Sequence, residues 1–304
     1  MKLIESKGQL AGVRSGQVLT IGNFDGVHAG HQKILSRARD IAGEKGTPGL
    51  AVLTFYPHPA AILNPGRSPG VLTPPELKWW LLEAQHVDTT IVIKDSYEML
   101  NLSPAAFVDE FLMKHIKPAA IVEGPNFNFG YGRSGNVETL KELGRRRGFD
   151  VVVVQPEEMM FPNGKKAMVS SSMIRRLLEE GETAQAAIAL TRPYRLIGRT
   201  VRGRGKGTEI GFPTANIEPH DQVIPAEGVY AGLVEFAEDS KQLLEANRRI
   251  PAAFSIGRAK TFVQDHALLI EAHLLIDNVP DLTGKWLAMD FAQRVRHQQR
   301  FDSP

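Results

Sequence analysis

Two histidines three residues apart offer the first chemistry in this chain. His28 and His31 lie in the stretch GNFDGVHAGHQ, residues 22–32, directly after an apolar segment. On a helix, residues three apart share a face, so both imidazoles fall beside its first turn. The unpaired N–H groups and positive dipole at a helix start suit phosphate. The imidazoles could donate to phosphoryl oxygens and to developing charge. Gly22 and Gly26 allow a tight turn and close approach of a ligand, with Phe24 and Asp25 between them. The dipole gives only about 0.3–1 kcal/mol per charge, so a polyphosphate needs further partners. A chance pair of helix-start histidines is the structural alternative. A zinc site is thin on two His without a carboxylate cluster.

A second group is VSSSMIR, residues 169–175. Ser170, Ser171 and Ser172 are N-cap candidates for a helix carrying Met173, Ile174, Leu177 and Leu178. Capping alone accounts for them. Beside the first motif, the hydroxyls and the Arg175 fork make a second phosphate clamp. A third group is GRGKGTEIGFPTANI, residues 203–217. It is not a Walker A loop, because Gly207 follows Lys206. Its backbone at Gly205 and Gly207 can still wrap phosphates. Thr214 and Asn216 present oxygens two residues apart on one face of an extended strand. Such oxygens together with nucleotide phosphates are what Mg²⁺ prefers.

The elements that must hold these groups follow from apolar patterning. Strands are predicted at 18–21, 50–55, 89–93, 119–122 and 149–154, the last a Val run expected to be buried on both faces. Helices are predicted at 28–42, 75–85, 104–115 and 137–147. In the first, Ile34, Leu35, Ala38 and Ile41 form one face. Strand–helix alternation implies a parallel sheet with covering helices. After about residue 185 the pattern turns to strand-like pieces at 194–201, 228–236, 252–256 and 268–276 with few helix signals. This predicts a smaller, mostly β domain, a barrel or a sandwich. The boundary is placed near Ala186, giving domains 1–186 and 187–304. Of Trp79 and Trp80, at most one can face a core. Residues 56–59, Tyr-Pro-His-Pro, follow a strand end where αβ sheets bind ligands.

His-Ala-Gly-His after a strand and a Gly-Asn-Phe-Asp-Gly turn resembles the HxGH motif of the nucleotidyltransferase superfamily. VSSSMIR is similar to the ISSTxxR-type motif that accompanies it, and GFPTAN resembles the signature of riboflavin kinases. The whole chain, in this order, resembles the bacterial bifunctional riboflavin kinase/FAD synthetase family. Gly228-Val229-Tyr230, Ser255-Ile256-Gly257, residues 270–275 and Gln299-Arg300-Phe301 extend the likeness. The resemblance implies a Rossmann-like FMN adenylyltransferase domain followed by a six-stranded riboflavin kinase barrel. It implies His28 and His31 at the ATP phosphates, Gly22, Phe24 and Asp25 beside the nucleotide, and Ser170, Ser171 and Arg175 at the phosphates. Asn126 and Phe127 stand where the family usually has Asp-Phe, in a loop near flavin or adenine. In the kinase half it implies Glu271 as the catalytic base, sharing a strand face with His273, and Thr214 and Asn216 holding Mg²⁺. ATP, riboflavin, FMN and FAD are the implied substrates and products. The chain departs from the family pattern at Thr208 (usually Arg), at Ser255 and residues 258–261, and at Gln298 (usually Glu). It also ends at Pro304, ahead of the usual terminal helix.

Composition narrows the alternatives. Zero cysteines among 304 residues rule out disulfides, thiolate metal sites and a cysteine nucleophile. Lys plus Arg number 36 against 34 acidic residues, a net charge of +2 that makes no general case for nucleic-acid binding. The Arg145–Arg147 run reads as a helix end complementing the dipole. No apolar run approaches the roughly 18–20 residues of a membrane helix, and no secretory signal is seen, so a cytoplasmic, membrane-free protein is expected, monomeric or weakly self-associating. The competing function is a monofunctional FAD synthetase whose degenerate kinase-like domain only binds flavin or nucleotide. A different HxGH transferase and a non-enzymatic flavin or nucleic-acid binder rank below these.

Overall fold

Short runs of apolar and β-branched residues supply the strands of the first half. The computed structural model describes residues 1–63, 69–94, 97–162, 164–202, 213–219, 221–258 and 268–298. The chain divides into two compact units, one of residues 1–69 and 78–169, the other of residues 70–77 and 170–304. The strands of the first unit are β1 (Lys2–Ile4), β2 (Val18–Ile21), β3 (Leu50–Phe55), β4 (Thr89–Ile93), β5 (Ala120–Glu123), β6 (Asn128–Phe129), β7 (Gly135–Asn136), β8 (Asp150–Val153), β9 (Glu158–Met160) and β10 (Lys166–Met168). Its helical segments are α1 (Ala29–Glu44), α2 (Pro59–Leu63), α3 (Pro75–Ala84, in this unit from Lys78 onward), α4 (Tyr97–Leu100), α5 (Pro104–Ala106, continuing as a π-helix over Phe107–Ile116) and α6 (Val137–Arg147).

Six strands form one sheet in the order β1-β4-β3-β2-β5-β8, with every neighbouring pair parallel. From β2 the chain winds outward through β3 and β4, then returns to the other side of β2 for β5 and β8. The winding therefore reverses between β2 and β5. A crevice opens at the carboxyl ends of strands where such a reversal occurs. All four residues of β2 are buried, as in a strand covered on both faces. Leu19, Ile21, Leu53, Ile91 and Ile121 share a core with Phe107, Val108, Leu112 and Ile116 of the π-helix. Leu35, Ala38 and Ile41 form the buried face of α1. Each Leu, Ile, Val or Phe among them contributes roughly 1.5–3 kcal/mol on full burial.

Two strands differ from expectation in a physical way. The Val run of 149–154 supplies β8, but Asp150 is exposed and Val151, Val152 and Val153 are only half-buried. β8 is the sheet's edge, with β5 as its neighbour, so the apolar run does not imply burial on both faces. The strand expected at 119–122 is β5, one residue further on. The Arg145–Arg147 run ends α6 and is capped by left-handed Gly148. Arg147 chelates Asp109 at 2.6 and 2.8 Å, and Arg146 pairs with Glu142.

The second unit carries α7 (Ser171–Glu179) and α8 (Thr183–Leu190), then β11 (Tyr194–Val201), β12 (Ala215–Pro219), β13 (Gly228–Ala237), α9 (Ser240–Glu245), β14 (Ile250–Arg258), β15 (Leu268–Leu274) and β16 (Trp286–Arg296). The strands close into a six-stranded antiparallel barrel, β11-β12-β15-β14-β13-β16, which decides between barrel and sandwich. Closure leaves no unpaired sheet edge. Tyr230, Phe254 and Phe291 fill its centre; the Phe291 ring lies 5.2 Å from Tyr230 edge-on and 4.9 Å from Phe254. β16 and α9 were not anticipated by the sequence patterning. Among the described residues, no helix is long and apolar enough to cross a membrane.

Candidate active sites

The first site grows from the carboxyl end of β2. Gly22 continues the strand by donating its N–H to the Leu53 carbonyl at 3.0 Å. The chain then turns tightly through residues 23–27. Gly26 adopts φ +89°, and Phe24 and Val27 are also held at positive φ, 48° and 39°. That conformation is costly for a β-branched residue and persists where surroundings fix it. The Thr54 hydroxyl donates to the Asn23 carbonyl, the Gln32 amide to the Val27 carbonyl, and the buried Phe24 ring lies 4.9 Å from His31. The Asn23 side-chain amide sits 2.8 Å from His58 Nε2, so the Tyr-Pro-His-Pro stretch does border this turn.

His28 is the N-cap of α1. Its Nδ1 accepts the His31 backbone N–H at 3.4 Å. A ring nitrogen that accepts carries no proton, so neutral His28 bears its hydrogen on Nε2. Its ring stacks on His31 with centroids 3.7 Å apart. Gly30 makes this packing feasible: a Cβ there would stand 3.2 Å from the His28 ring and 3.5 Å from the Val169 carbonyl oxygen. His31 keeps a partly exposed ring, but its Nδ1 is buried with no hydrogen-bond partner among the described residues. Burial first, then His28 and Lys78, hold its pKa well below the ordinary imidazole range. The His31 ring is thus suited to act as a neutral donor beside a helix N-terminus.

Gly22, Phe24, Asp25, His28 and His31 are gathered here, and two further titratable groups join them that no motif singled out. Lys78 of α3 is 7% exposed. Its ammonium lies 5.5 Å from the Trp79 ring centroid and feels the Asp25 carboxylate; burial lowers its pKa. The signal available in the sequence was a lysine three and four residues before Leu81 and Leu82, on the apolar face of a helix. Trp80 is the exposed member of the tryptophan pair, and Trp79 is half-buried. Glu123, the last residue of β5, is 3% exposed, and its Oε1 accepts the Ile21 N–H at 2.6 Å. Burial raises its pKa well above the carboxylate range, outweighing that hydrogen bond. An acid ending a buried strand at the sheet's carboxyl edge was its signal. Beyond it, Asn126 is exposed in the turn closed by the Phe127 N–H to the Gly124 carbonyl, and the Phe127 ring stacks 5.5 Å from Phe129.

Ser170, Ser171 and Arg175 belong to the second unit. Ser170 is the N-cap of α7, its hydroxyl accepting the Met173 N–H at 3.2 Å. Ser171 opens that helix, and the Arg175 Nε–H donates to the Gly70 carbonyl at 2.7 Å.

The second site lies on the barrel, where β12 meets β15. Ala215 pairs with Ala272 and Asn216 with Glu271. Alternation buries Ile270, Ala272 and Leu274 and leaves Glu271 and His273 half-buried on the other face. The Thr214 hydroxyl lies 3.4 Å from Glu271 Oε1, and His273 Nδ1 lies 2.9 Å from the Pro213 carbonyl. Thr214, Asn216 and Glu271 thus present an all-oxygen donor set, the type that hard divalent cations take. The Gln298 side chain packs over Gly257 of β14. Gly205, Gly207, Thr208, residues 259–261 and residues 299–301 lie outside the described residues.

A family model described as FAD synthetase matches residues 11–172, and one described as riboflavin kinase matches residues 190–304. The bifunctional riboflavin kinase/FMN adenylyltransferase of Escherichia coli (strain K12) is 33% identical over 304 residues, covering 100% of this chain and 92% of that protein. The protein of the same description from Listeria monocytogenes is 35% identical over 289 residues, covering 94% of this chain and 86% of the relative. A crystal structure from Streptococcus pneumoniae, described as a macrolide-efflux protein, superposes with a TM-score of 0.84 at 27% identity, covering 100% of this chain and 94% of that one.

Proposed function

This chain belongs to the bifunctional riboflavin kinase/FMN adenylyltransferase family, and from that premise we infer that it carries out both reactions. It phosphorylates riboflavin to FMN with ATP and adenylylates FMN to FAD. The observation that carries this reading is the presence, in one chain, of both matched halves.

In the adenylyl transfer, an FMN phosphate oxygen attacks the α-phosphorus of ATP, the bond to the β-phosphate oxygen breaks, and pyrophosphate leaves. Positioning and charge neutralisation suffice for such a transfer. We assign His28 and His31 to the ATP phosphates, the former through its Nε2–H. Gly22, Phe24 and Asp25 shape the turn against the nucleotide. We assign Ser170, Ser171 and Arg175 to phosphate as well, and Asn126 and Phe127 to the flavin. Support comes from the stacked imidazoles at the start of α1, beside the reversal between β2 and β5.

In the kinase half, Glu271 accepts the proton of the riboflavin terminal hydroxyl as that oxygen attacks the γ-phosphorus of ATP and ADP leaves. Gly205 and Gly207 wrap the nucleotide phosphates. The oxygen donors fit Mg²⁺, which Thr214 and Asn216 would hold together with the nucleotide; when bound it neutralises phosphate charge. The functional division is taken at 1–186 and 187–304, a boundary falling between the two matched segments. The partners proposed are small molecules alone, in the cytoplasm, with a monomeric or weakly associating chain and no nucleic acid.

The test is chromatography of products from riboflavin, ATP and Mg²⁺. Wild type is expected to give FMN and FAD. Glu271→Ala should stop FMN formation yet still convert supplied FMN, and the His28→Ala/His31→Ala double variant should accumulate FMN. FAD from supplied FMN alone would reduce the function to a monofunctional FAD synthetase.

A further inference from the structure

Pro213 and Thr214 lie just ahead of β12. The ladder between β12 and β15 runs through Ala215 and Asn216, so Pro213 and Thr214 precede its first pair. Two side chains of β15 reach them instead: Glu271 meets the Thr214 hydroxyl, and His273 meets the Pro213 carbonyl. The two-residue period of a strand puts both on one face. Proline has no N–H, so its carbonyl is the main-chain hydrogen-bonding group it offers. A carbonyl oxygen only accepts, so His273 Nδ1 must carry the proton, which fixes the ring's tautomer and orientation.

We propose that His273 is a positioning residue for the phosphoryl transfer, holding the Pro213–Thr214 backbone through its Nδ1–H so that the Thr214 hydroxyl stays in register with Glu271. The proposal rests on the kinase reading above. His273 touches no reacting atom; it acts through Thr214 and Glu271. The 3.4 Å separation of those two is at the outer limit of a hydrogen bond, so a small drift of the Pro213–Thr214 backbone breaks it. Misplacement by about 1 Å can cost on the order of a hundredfold in rate.

The experiment uses the full chain with His273→Ala and His273→Asn. Asparagine carries an amide N–H near the place of Nδ1 but no second ring nitrogen. His273→Ala is expected to lower kcat for FMN formation at least about tenfold while the KM for riboflavin stays within about twofold. His273→Asn should recover most of that loss. Conversion of supplied FMN to FAD should be unchanged in both. Titration calorimetry with ADP, with and without Mg²⁺, gives a second readout: the alanine variant should lose part of the Mg²⁺-dependent gain in affinity, and the asparagine variant should keep it. A kcat within twofold of wild type for His273→Ala overturns the proposal. So do equal losses in both variants that track a lowered Tm, which would make His273 a packing residue. Wild type that forms no FMN overturns the kinase reading itself, and the proposal with it.

Discussion

Glu123 closes β5 with its carboxyl sealed between strands and its Oε1 on the Ile21 N–H. Burial raises its pKa well above the carboxylate range. The folded chain therefore keeps a proton that the unfolded chain releases above about pH 4.3. More protons bound in the folded state means that stability falls as pH rises from there through the folded pKa. Glu123→Gln keeps an oxygen for Ile21 and cannot ionise. It should be more stable than wild type, and the gap should be wider near about pH 8 than near about pH 5 by urea unfolding. A gap equal at both would mean that Glu123 titrates alike in both states. His31 carries the opposite linkage. Its depressed pKa costs nothing above about pH 6.5, and the cost grows as pH falls below that. The histidine pair was legible because two residue types at a fixed spacing make a motif. Glu123 and Lys78 were not, because their neighbours become visible only once strands and helices are packed.

At the scale of elements, legibility followed burial. β2, β3 and β4 are central strands whose apolar runs coincide with their observed limits. β16 escaped notice because WLAMDFAQRVR mixes charges into its sequence and breaks the two-residue period. Its register shifts where it pairs with β13, so alternation is lost there. Yet β16 closes the barrel by pairing with both β11 and β13, and it carries Asp290 into a buried ion cluster. Arg195 of β11 chelates Asp290 at 2.7 and 2.6 Å and reaches Glu235 of β13 at 2.7 Å. The Arg195 and Asp290 side chains are 11% and 8% exposed, so solvent cannot replace a missing partner. Asp290→Ala, which leaves Arg195 its Glu235 partner, is expected to destabilise the barrel by about 1.5–3 kcal/mol, read as loss of riboflavin kinase activity at lower urea concentration. A loss below about 1 kcal/mol would place the cluster in the class of surface pairs.

At the scale of the molecule, each of the two units has its own core: a buried parallel sheet with an aromatic-lined π-helix in one, a closed aromatic-filled barrel in the other. The histidine turn is pinned by Thr54, Gln32 and Phe24, all within the first unit. The Thr214–Glu271 pair is pinned within the second. Two sites with internal supports should tolerate separate inactivation. Equal amounts of a Glu271→Gln chain and a His28→Ala/His31→Ala chain, mixed with riboflavin, ATP and Mg²⁺, should therefore restore FAD formation that neither achieves alone. On the proposed roles, the first chain cannot make FMN but can consume it, and the second does the reverse, so FMN must cross between molecules through solution. FAD should then appear after a lag, during which free FMN rises, and the lag should shorten as both chains are concentrated. Restoration without detectable free FMN would instead require direct transfer between chains. Failure to restore, with each partial reaction intact, would mean that the intermediate passes only within one molecule.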